Sequence, residues 1–330
     1  MEAKRGTPRP RVVVIGGGTG SYVVLTGLRR LGLQPTAVVS MADSGGSSGR
    51  LRDEFGHLPP GDVRQCLVAL MPDDHQSLLL RQLFTYRFDR GEGLNGHTFG
   101  NLFLTALIEI TGSFEQAVAV ASDLLKIRGR VVPVTLGSTT LCARLCDGTT
   151  LRGEGAIDQR SDTTAAIDYV YLDPRVFINR RAKSAILQAD LVVLGPGDLF
   201  TSVIPPLLVD GVTDALRETC ARRVYVVNIM TKPGESRGFH AGDFVQAIRD
   251  YLDGVRLDAI VVNSGVPSDR VLARYVQAGQ ELVVDRGELP GESRVEYADL
   301  VSGGMLVRHD PDKLAATLVQ LWRALCPDNI

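Results

Sequence analysis

An apolar run followed by glycines near the start of the chain most restricts the folds that this sequence can adopt. Val12–Ile15 is β-branched throughout, and glycines stand at positions 16, 17, 18 and 20. Apolar residues then recur at helical spacing over 21–31. A buried strand that turns directly into a helix is typical of α/β proteins with a parallel sheet.

This first glycine segment is also a candidate anion site. The free amides and the dipole at the start of a helix favour a phosphate, and glycines let the backbone approach it closely. The candidate residues are Gly16, Gly17, Gly18, Thr19 and Gly20. The pattern is G-x-G-x-G, with Ser21 where a dinucleotide fingerprint has its last glycine, and no Lys-Ser or Lys-Thr follows as in a P-loop. A tight turn without a ligand is the alternative.

A second glycine-rich segment, 42–52, follows an extended stretch at Thr36–Ser40. Asp43 lies where dinucleotide folds place an acid on the ribose hydroxyls. The serines and flexible amides of 44–49 suit an anion nest. This segment therefore contributes the candidates Asp43, Gly46, Ser47, Ser48 and Arg52, unless it is only a mobile surface loop.

Polar loops follow further apolar segments. The first of these loops precedes an apolar helix at 102–110, the second follows Ala189–Leu194, and the third follows Val224–Val227. A parallel sheet would gather such loops at one edge, in one crevice. They add the candidates His97, Asn101, Gly195, Gly197, Thr201 and Asn228. His97 either donates to a phosphate, acts as an acid or base, or braces its loop.

These segments predict an α/β fold of the Rossmann-like type, with a mostly parallel sheet and helices on both faces. Leu141–Leu151 alternates around Asp147-Gly148, which predicts a β-hairpin within an antiparallel insertion at about 131–155. We expect one domain over 11–330. The polar residues 1–10 are expected to form a disordered tail.

Composition limits the partners and the chemistry. The formal charge of −2 gives no indication of nucleic acid, and no apolar run reaches the roughly 20 residues that span a bilayer. Five scattered cysteines fit a reducing compartment. No nucleophile–base arrangement and no metal-ligand spacing is recognisable, so we predict neither a catalytic residue nor a metal. Asp62 is interpreted as a helix-start residue, and Asp198 as facing a ribose or solvent.

Six strings, in this order, resemble the YvcK family, whose members are called gluconeogenesis factors, within the YvcK/CofD-like superfamily. They are GGGTG (16–20), AD-S-GGSSGRLR (42–52), PPGDVRQCL (59–67), NGHTFGNLFLTAL (95–107), LGPGDLFTS (194–202) and NIMTKPGES (228–236). The resemblance runs from about Val12 to Arg308. It implies a cytoplasmic bacterial protein with a Rossmann-like core that binds UDP-sugars, notably UDP-N-acetylglucosamine. It also implies a link to cell-wall synthesis and cell shape during growth on gluconeogenic carbon, with no established reaction.

The resemblance also implies roles for single residues. Gly16–Gly20, Asp43 and Gly45–Arg52 match its first two loops, while Tyr275 and Arg308 stand where the family contributes a tyrosine and an arginine to UDP-sugar binding. Ser44 replaces a usual second aspartate, which weakens any claim for a metal between paired acids. Cell-wall or regulatory proteins and a homodimer are the partners that we expect.

Two other functions remain open. The first is a CofD-like transferase that takes a phospho-lactyl-type group from a GDP-activated donor, against which Ser44 argues. The second is an NAD(P)-binding oxidoreductase, which the first glycine segment favours. The latter lacks both a complete fingerprint and an obvious hydride-transfer site.

Overall fold

The computed structural model describes residues 9–160 and 164–327, and these contain ten strands and thirteen α-helices. The strands are β1 (Val12–Gly16), β2 (Thr36–Val39), β3 (Arg130–Pro133), β4 (Thr140–Leu145), β5 (Thr150–Arg152), β6 (Ile167–Asp173), β7 (Leu191–Leu194), β8 (Arg222–Val226), β9 (Ala259–Asn263) and β10 (Arg294–Ala298). The helices are α1 (Gly18–Arg30), α2 (Gly46–Phe55), α3 (Gly61–Leu70), α4 (His75–Thr85), α5 (Phe99–Thr111), α6 (Phe114–Leu124), α7 (Glu154–Asp158), α8 (Arg180–Leu187), α9 (Ile204–Leu207), α10 (Val212–Glu218), α11 (Ala241–Tyr251), α12 (Asp269–Gln277) and α13 (Pro311–Leu325). A π-helical turn at Leu199–Val203 precedes α9.

Seven strands form a fully parallel sheet in the order β10-β9-β8-β7-β1-β2-β3. From β1 the chain proceeds outward to β2 and β3, whereas from β7 it proceeds to β8, β9 and β10 on the other side. The order therefore reverses between β1 and β7. In doubly wound sheets a crevice opens at this point, beyond the carboxyl ends of the strands.

The central strands are apolar because both faces of the sheet are covered. Every residue of β1, β7 and β9 is buried. Helix α1 packs against α3 and α13, while α3 and α6 pack against β3. The Rossmann-like α/β fold predicted from the sequence, with helices around a parallel sheet, is confirmed.

A second, three-stranded antiparallel sheet has the order β5-β4-β6. Strands β4 and β5 are the two arms of the predicted hairpin, with Ala143 opposite Leu151. The added strand β6 was not predicted. Strand β3 falls inside the insertion predicted at about 131–155, yet it is the edge strand of the parallel sheet.

Two predicted loops are helical. The residues 46–55 form α2 rather than an irregular nest, and α5 begins at Phe99, so that Asn101 lies in its first turn. Of the tail predicted at 1–10, only Arg9 and the buried Pro10 lie within the described residues, and Arg9 donates to the Gly32 carbonyl. No helix in the described ranges has the length and apolarity that crossing a membrane requires.

Two glycines of α1 allow close approaches that no other residue would permit. A Cβ at Gly20 would lie 1.9 Å from the Pro196 carbonyl oxygen, in the turn after β7. A Cβ at Gly27 would lie 1.9 Å from the carbonyl oxygen of Pro311, at the start of α13. These contacts hold α1 against the β7 turn at one end and against α13 further along.

Gly27→Ala should therefore destabilise the fold. The added methyl group would overlap the Pro311 carbonyl and crowd Ala315, which should cost about 1–3 kcal/mol of unfolding free energy. Urea unfolding followed by circular dichroism measures this cost. The control is Gly291→Ala, where nothing lies within 4 Å of the added carbon and a change below about 0.5 kcal/mol is expected. Equal stability of both variants would contradict the packing described here.

Candidate functional site

A cavity of about 290 Å³ lies at the carboxyl ends of β1, β7 and β8, where the strand order reverses. We call it the switch-point cavity. Segments that are far apart in the sequence form its wall: Gly17–Gly20, Val23, Pro196–Asp198, Ser202, Asn228–Lys232, Tyr275, Gln280 and Val307–His309. Its position is the one in which doubly wound folds bind ligands.

Eight of the residues selected from the sequence line this cavity: Gly17, Gly18, Thr19, Gly20, Gly197, Asn228, Tyr275 and Arg308. Asn228 also accepts a long hydrogen bond, 3.4 Å, from the Gly197 amide, so it orders the β7 turn. The Tyr275 hydroxyl accepts from the Val307 amide at 2.9 Å and thereby joins α12 to the segment that carries Arg308. Arg308 is exposed and makes no ion pair within the described residues.

His309 lies behind Arg308 in the same wall. Burial lowers its pKa to about 4, although a hydrogen bond to the backbone of Val227 opposes the shift. The ring is therefore neutral at pH 7, and its buried Nε2 has no hydrogen-bond partner in the described part of the chain. Arg308 and Lys232 are thus the positively charged side chains of this wall.

The glycine turn after β1 is held by a carboxyl group. Gly18 has a φ of +61°, which favours glycine, and its amide donates to Asp62 Oδ1 at 2.9 Å. A Cβ at Gly17 would lie 2.1 Å from the other oxygen of Asp62. Asp62 therefore belongs to the first glycine segment in space, and it sits where a helix start would hold an anion.

Three carboxyl groups meet beside this turn: Asp43 after β2, Asp62 in α3 and Glu154 in α7. Burial, and then the charge of Asp43, raise the pKa of Asp62 to about 8. The same two causes, in the same order, raise the pKa of Glu154 to about 7. Near neutral pH the group therefore holds protons that free carboxylic acids would have lost.

The second glycine segment forms its own hydrogen-bond network beside α5. The Ser47 hydroxyl lies 3.1 Å from His97 Nδ1 and accepts from Asn101 Nδ2, also at 3.1 Å. Asn101 Nδ2 lies 3.3 Å from the Ser48 hydroxyl, and its Oδ1 accepts from Arg64 Nε. Burial, and then the charge of Arg50, lower the pKa of His97. His97 is thus neutral and braces α2 against α5.

The other selected residues lie outside the cavity wall. Gly16 ends β1, Gly195 begins the β7 turn, and Gly46 starts α2. The Thr201 hydroxyl donates to the buried Glu235 at 2.8 Å, and Arg52 pairs with Asp53. In these contacts Thr201 and Arg52 serve the protein itself.

Three carboxylates that could hold a cation together are Asp158, Asp198 and Glu235, with oxygens within 4.8 Å of one another among the described residues. The ammonium group of Lys232 contacts all three. The position that a metal ion would take is thus filled by a side chain. Asp43, Asp62 and Glu154 offer oxygen ligands of the kind that Mg²⁺ prefers, provided that Asp62 and Glu154 lose their protons.

The functional side chains that sequence reasoning missed are Asp62, Glu154 and Lys232. Asp62 was read only as a helix-start residue, but an acid just after Pro-Pro-Gly could have suggested an approach to a glycine turn. Lys232 lies in a polar string after β8, which was itself a signal. Glu154 has no such signal, because its partner Ser44 is 110 residues away.

Asp62→Asn should change how stability depends on pH. A carboxyl group whose pKa is raised by folding stabilises the native state at low pH, and this contribution falls as the pH rises towards about 8. The wild-type protein should therefore lose on the order of 2 kcal/mol relative to Asp62→Asn between pH 5.5 and 8.5. Urea unfolding at three pH values measures the difference.

Asp73→Asn is the matched control. Partial burial opposes a shift there, but hydrogen bonds from Arg29 and Arg81 prevail and lower the pKa of Asp73. The Asp73 carboxyl is fully ionised above pH 5.5 in both the folded and the unfolded protein. The difference in unfolding free energy between Asp73→Asn and the wild type should therefore be the same at every pH tested. If the unfolding free energies of Asp62→Asn and the wild type changed in parallel with pH, Asp62 would already be ionised at pH 5.5.

Comparison with known proteins identifies the family of this chain. A family model described as "2-phospho-L-lactate transferase CofD" matches residues 12–299. A "Gluconeogenesis factor" of Bacillus subtilis is 37% identical over 96% of this chain and 99% of its own, and one of Halalkalibacterium halodurans is 40% identical over 94% and 96%. The crystal structure of a UPF0052-family protein from Bacillus halodurans superposes with a TM-score of 0.88 at 40% identity, over 94% of this chain and 99% of that one. The chain therefore belongs to the YvcK/CofD-like family, together with the gluconeogenesis factors.

Proposed function

We propose that this protein binds a nucleoside diphosphate sugar, UDP-N-acetylglucosamine or UDP-glucose, in the switch-point cavity and acts as a regulatory sensor. One observation carries the proposal. A helix-start glycine turn, two positively charged side chains and the residues Asn228 and Tyr275 line one cavity at the reversal of strand order. The resemblance to the YvcK family supplies the choice of uridine.

The cavity suits a diphosphate flanked by polar groups. The amides of the Gly17–Gly20 turn and the start of α1 favour the phosphates. Arg308 adds a planar guanidinium that can donate two parallel hydrogen bonds to phosphate oxygens. Asn228 can bond a ribose or a base, and the Tyr275 ring offers an aromatic face.

A regulatory role fits the side chains of the cavity better than catalysis does. A hydroxyl nucleophile needs a hydrogen bond to a base such as a histidine or a carboxylate for its activation. In the described ranges no hydroxyl of the cavity wall has such a bond. This chain covers 96% and 99% of the length of two relatives named gluconeogenesis factors. On the resemblance to the YvcK family, we assign the sensor to the cytoplasm and link it to cell-wall synthesis and cell shape under gluconeogenic growth. There it would act on enzymes or regulators.

A thermal-shift panel of UDP-N-acetylglucosamine, UDP-glucose, GDP and NAD⁺ tests the proposal. A ligand at 100 times its dissociation constant should stabilise the protein by about 2.7 kcal/mol. The two UDP-sugars should raise the melting temperature. A response to GDP or NAD⁺ alone would replace this proposal by the transferase or the oxidoreductase.

Arg308→Ala should weaken UDP-N-acetylglucosamine binding by about tenfold to more than a hundredfold, because it removes hydrogen bonds to a charged group. Arg308→Lys should recover only part of this loss, since an ammonium group lacks the planar fork. Arg256→Ala is the control, because Arg256 is exposed before β9, at the opposite edge of the sheet. Calorimetric titration at one salt concentration gives all affinities, and equal values would remove Arg308 from the site.

The CofD-like transferase remains the second candidate, because Asp43 and Asp62 lie close enough for one charge to shift the pKa of the other. Incubation with UDP-N-acetylglucosamine, or with GDP and GTP derivatives, in the presence and absence of Mg²⁺ discriminates between the two. We expect no sustained release of nucleotide. Turnover that requires Mg²⁺ and disappears in Asp43→Asn would establish the transferase instead.

A further inference from the structure

Lys232 combines two features that the binding proposal does not yet use. It lines the switch-point cavity, and its ammonium group is shared by three carboxylates from three segments. Nζ lies 2.6 Å from Asp198 Oδ2 and 3.1 Å from Glu235 Oε1, and it also contacts Asp158, the last residue of α7. The side chain therefore connects the cavity to α7.

Hydrogen bonds fix the backbone of Lys232, whereas its side chain is held at the ammonium group, by the three carboxylates. The Lys232 amide donates to the Ser236 hydroxyl at 3.0 Å, and its carbonyl accepts from the amides of Glu235 and Ser236. The preceding residue, Thr231, is bonded to Glu281 in both directions. A four-carbon stem with rotatable bonds starts from this anchored point.

The three carboxylates differ in how firmly they are held. Glu235 is 1% exposed and accepts from the Phe200 amide and the Thr201 hydroxyl, so its position is set by the fold. Asp158 and Asp198 have side chains that are 27% and 45% exposed. Within the described residues, Lys232 is the one hydrogen-bond donor to either carboxylate, so these two are the partners that the ammonium group can exchange.

The charge of this group conflicts with a phosphate in the cavity. One ammonium faces three carboxylates, and Asp198 itself lines the cavity. Burial, and then the charges of Glu235 and Glu154, raise the pKa of Asp198 to about 7, so this carboxyl group keeps part of its negative charge at neutral pH. That charge repels an entering diphosphate unless a positive charge turns towards it. Apart from Arg308, Lys232 is the cation of the described wall that can do so.

We propose that Lys232 is a ligand-contacting residue which exchanges Asp158 for a phosphate oxygen, so that occupancy of the cavity is transmitted to α7. This inference rests on the proposed binding of a nucleoside diphosphate sugar. The ammonium keeps its contact with the fixed Glu235 and turns its remaining donors from α7 to the ligand. Loss of the Asp158 contact then loosens the carboxyl end of α7 from the loop after β8, where the hydrogen bond from Arg160 to the Gly234 carbonyl remains.

Helix α7 is placed to pass the change on. It directly follows β5 of the antiparallel sheet. Its first residues are tied to the second glycine segment, since the Gly155 amide donates to the Ser44 hydroxyl at 3.0 Å and Glu154 accepts from the Ser44 amide at 3.4 Å. The contact between Lys232 and Asp158 is thus one link between the antiparallel and the parallel sheet, beside the hydrogen bond from the Val170 amide to the Tyr251 hydroxyl.

A double-mutant cycle tests the exchange by calorimetric titration with UDP-N-acetylglucosamine. Lys232→Met should weaken binding by about tenfold or more, because it removes a charged hydrogen bond to phosphate. Asp158→Asn should tighten binding by about twofold to fivefold, because it removes the competitor for the ammonium. In the Lys232→Met background, Asp158→Asn should leave the affinity unchanged. If Asp158→Asn tightened binding merely by removing a negative charge, the gain in affinity would persist in this background.

The control is Lys183→Met, which breaks an exposed pair with Glu218 away from the cavity and should leave affinity unchanged. Hydrogen exchange adds a second readout, in which ligand should speed exchange at 154–158 in the wild type and not in Asp158→Asn. If Lys232→Met does not fold, Asp158→Asn alone decides, since unchanged or weaker binding overturns the exchange.

Failure of this inference differs from failure of the binding proposal. If the wild-type protein does not bind UDP-sugars at all, the proposed function is wrong and the exchange with it. If the wild type binds and Lys232→Met binds equally well, the function stands and Lys232 only braces α7. Equal tightening by Asp158→Asn in both backgrounds would also overturn the exchange.

Discussion

The parallel pairing of β1 with β7 is the constraint on which the rest of the structure depends. These two strands are neighbours in the sheet although about 180 residues separate them in the chain. Their connections lead to opposite sides, so the space beyond their ends stays open. The turns after both strands then come so close that only glycine fits at position 20, against the Pro196 carbonyl. The cavity, its glycine turn and the start of α1 all follow from this one contact.

Negative charge around the cavity gives it a second organising principle. Asp43, Asp62 and Glu154 form one group and Asp158, Asp198 and Glu235 form another, on neighbouring sides of the same edge. The first group is balanced by the protons that Asp62 and Glu154 retain, and the second by Lys232 together with the raised pKa of Asp198. Both forms of balance respond to an arriving anion, because protons and an ammonium group can move while a buried carboxylate cannot.

Much of the fold could be predicted from the sequence because its central strands are local, apolar and β-branched. Strand β1 begins at Val12, as its apolar run predicts, and the hairpin turn lies at Asp147-Gly148, as the alternation predicts. Helix α2 could not be predicted in this way, since Gly and Ser favour loops and only packing makes them helical. Gly61 shows the reason, because a Cβ there would overlap both Asp43 and the Ser48 hydroxyl of α2.

The candidate site could be predicted only in part, and for a related reason. Glycine turns are recognisable in a short stretch of sequence, so the parts of the cavity wall at Gly17–Gly20 and Gly197 could be predicted. The charged partners are not local. Glu154 reaches Ser44 and Lys232 reaches Asp158 only after the antiparallel sheet has folded against the parallel one. A sequence pattern carries no record of such distances.

The hydrogen bond from the Gly18 amide to Asp62 means that the protein carries its own substitute for a phosphate. A helix start without a partner would leave this donor to water, whereas here an internal carboxyl group accepts its hydrogen bond and fixes the turn. A ligand that reaches this amide therefore replaces one acceptor by another. The turn pays no ordering cost at that moment, but the gain per contact is small. For the sensor proposed above, this exchange of acceptors favours readily reversible binding.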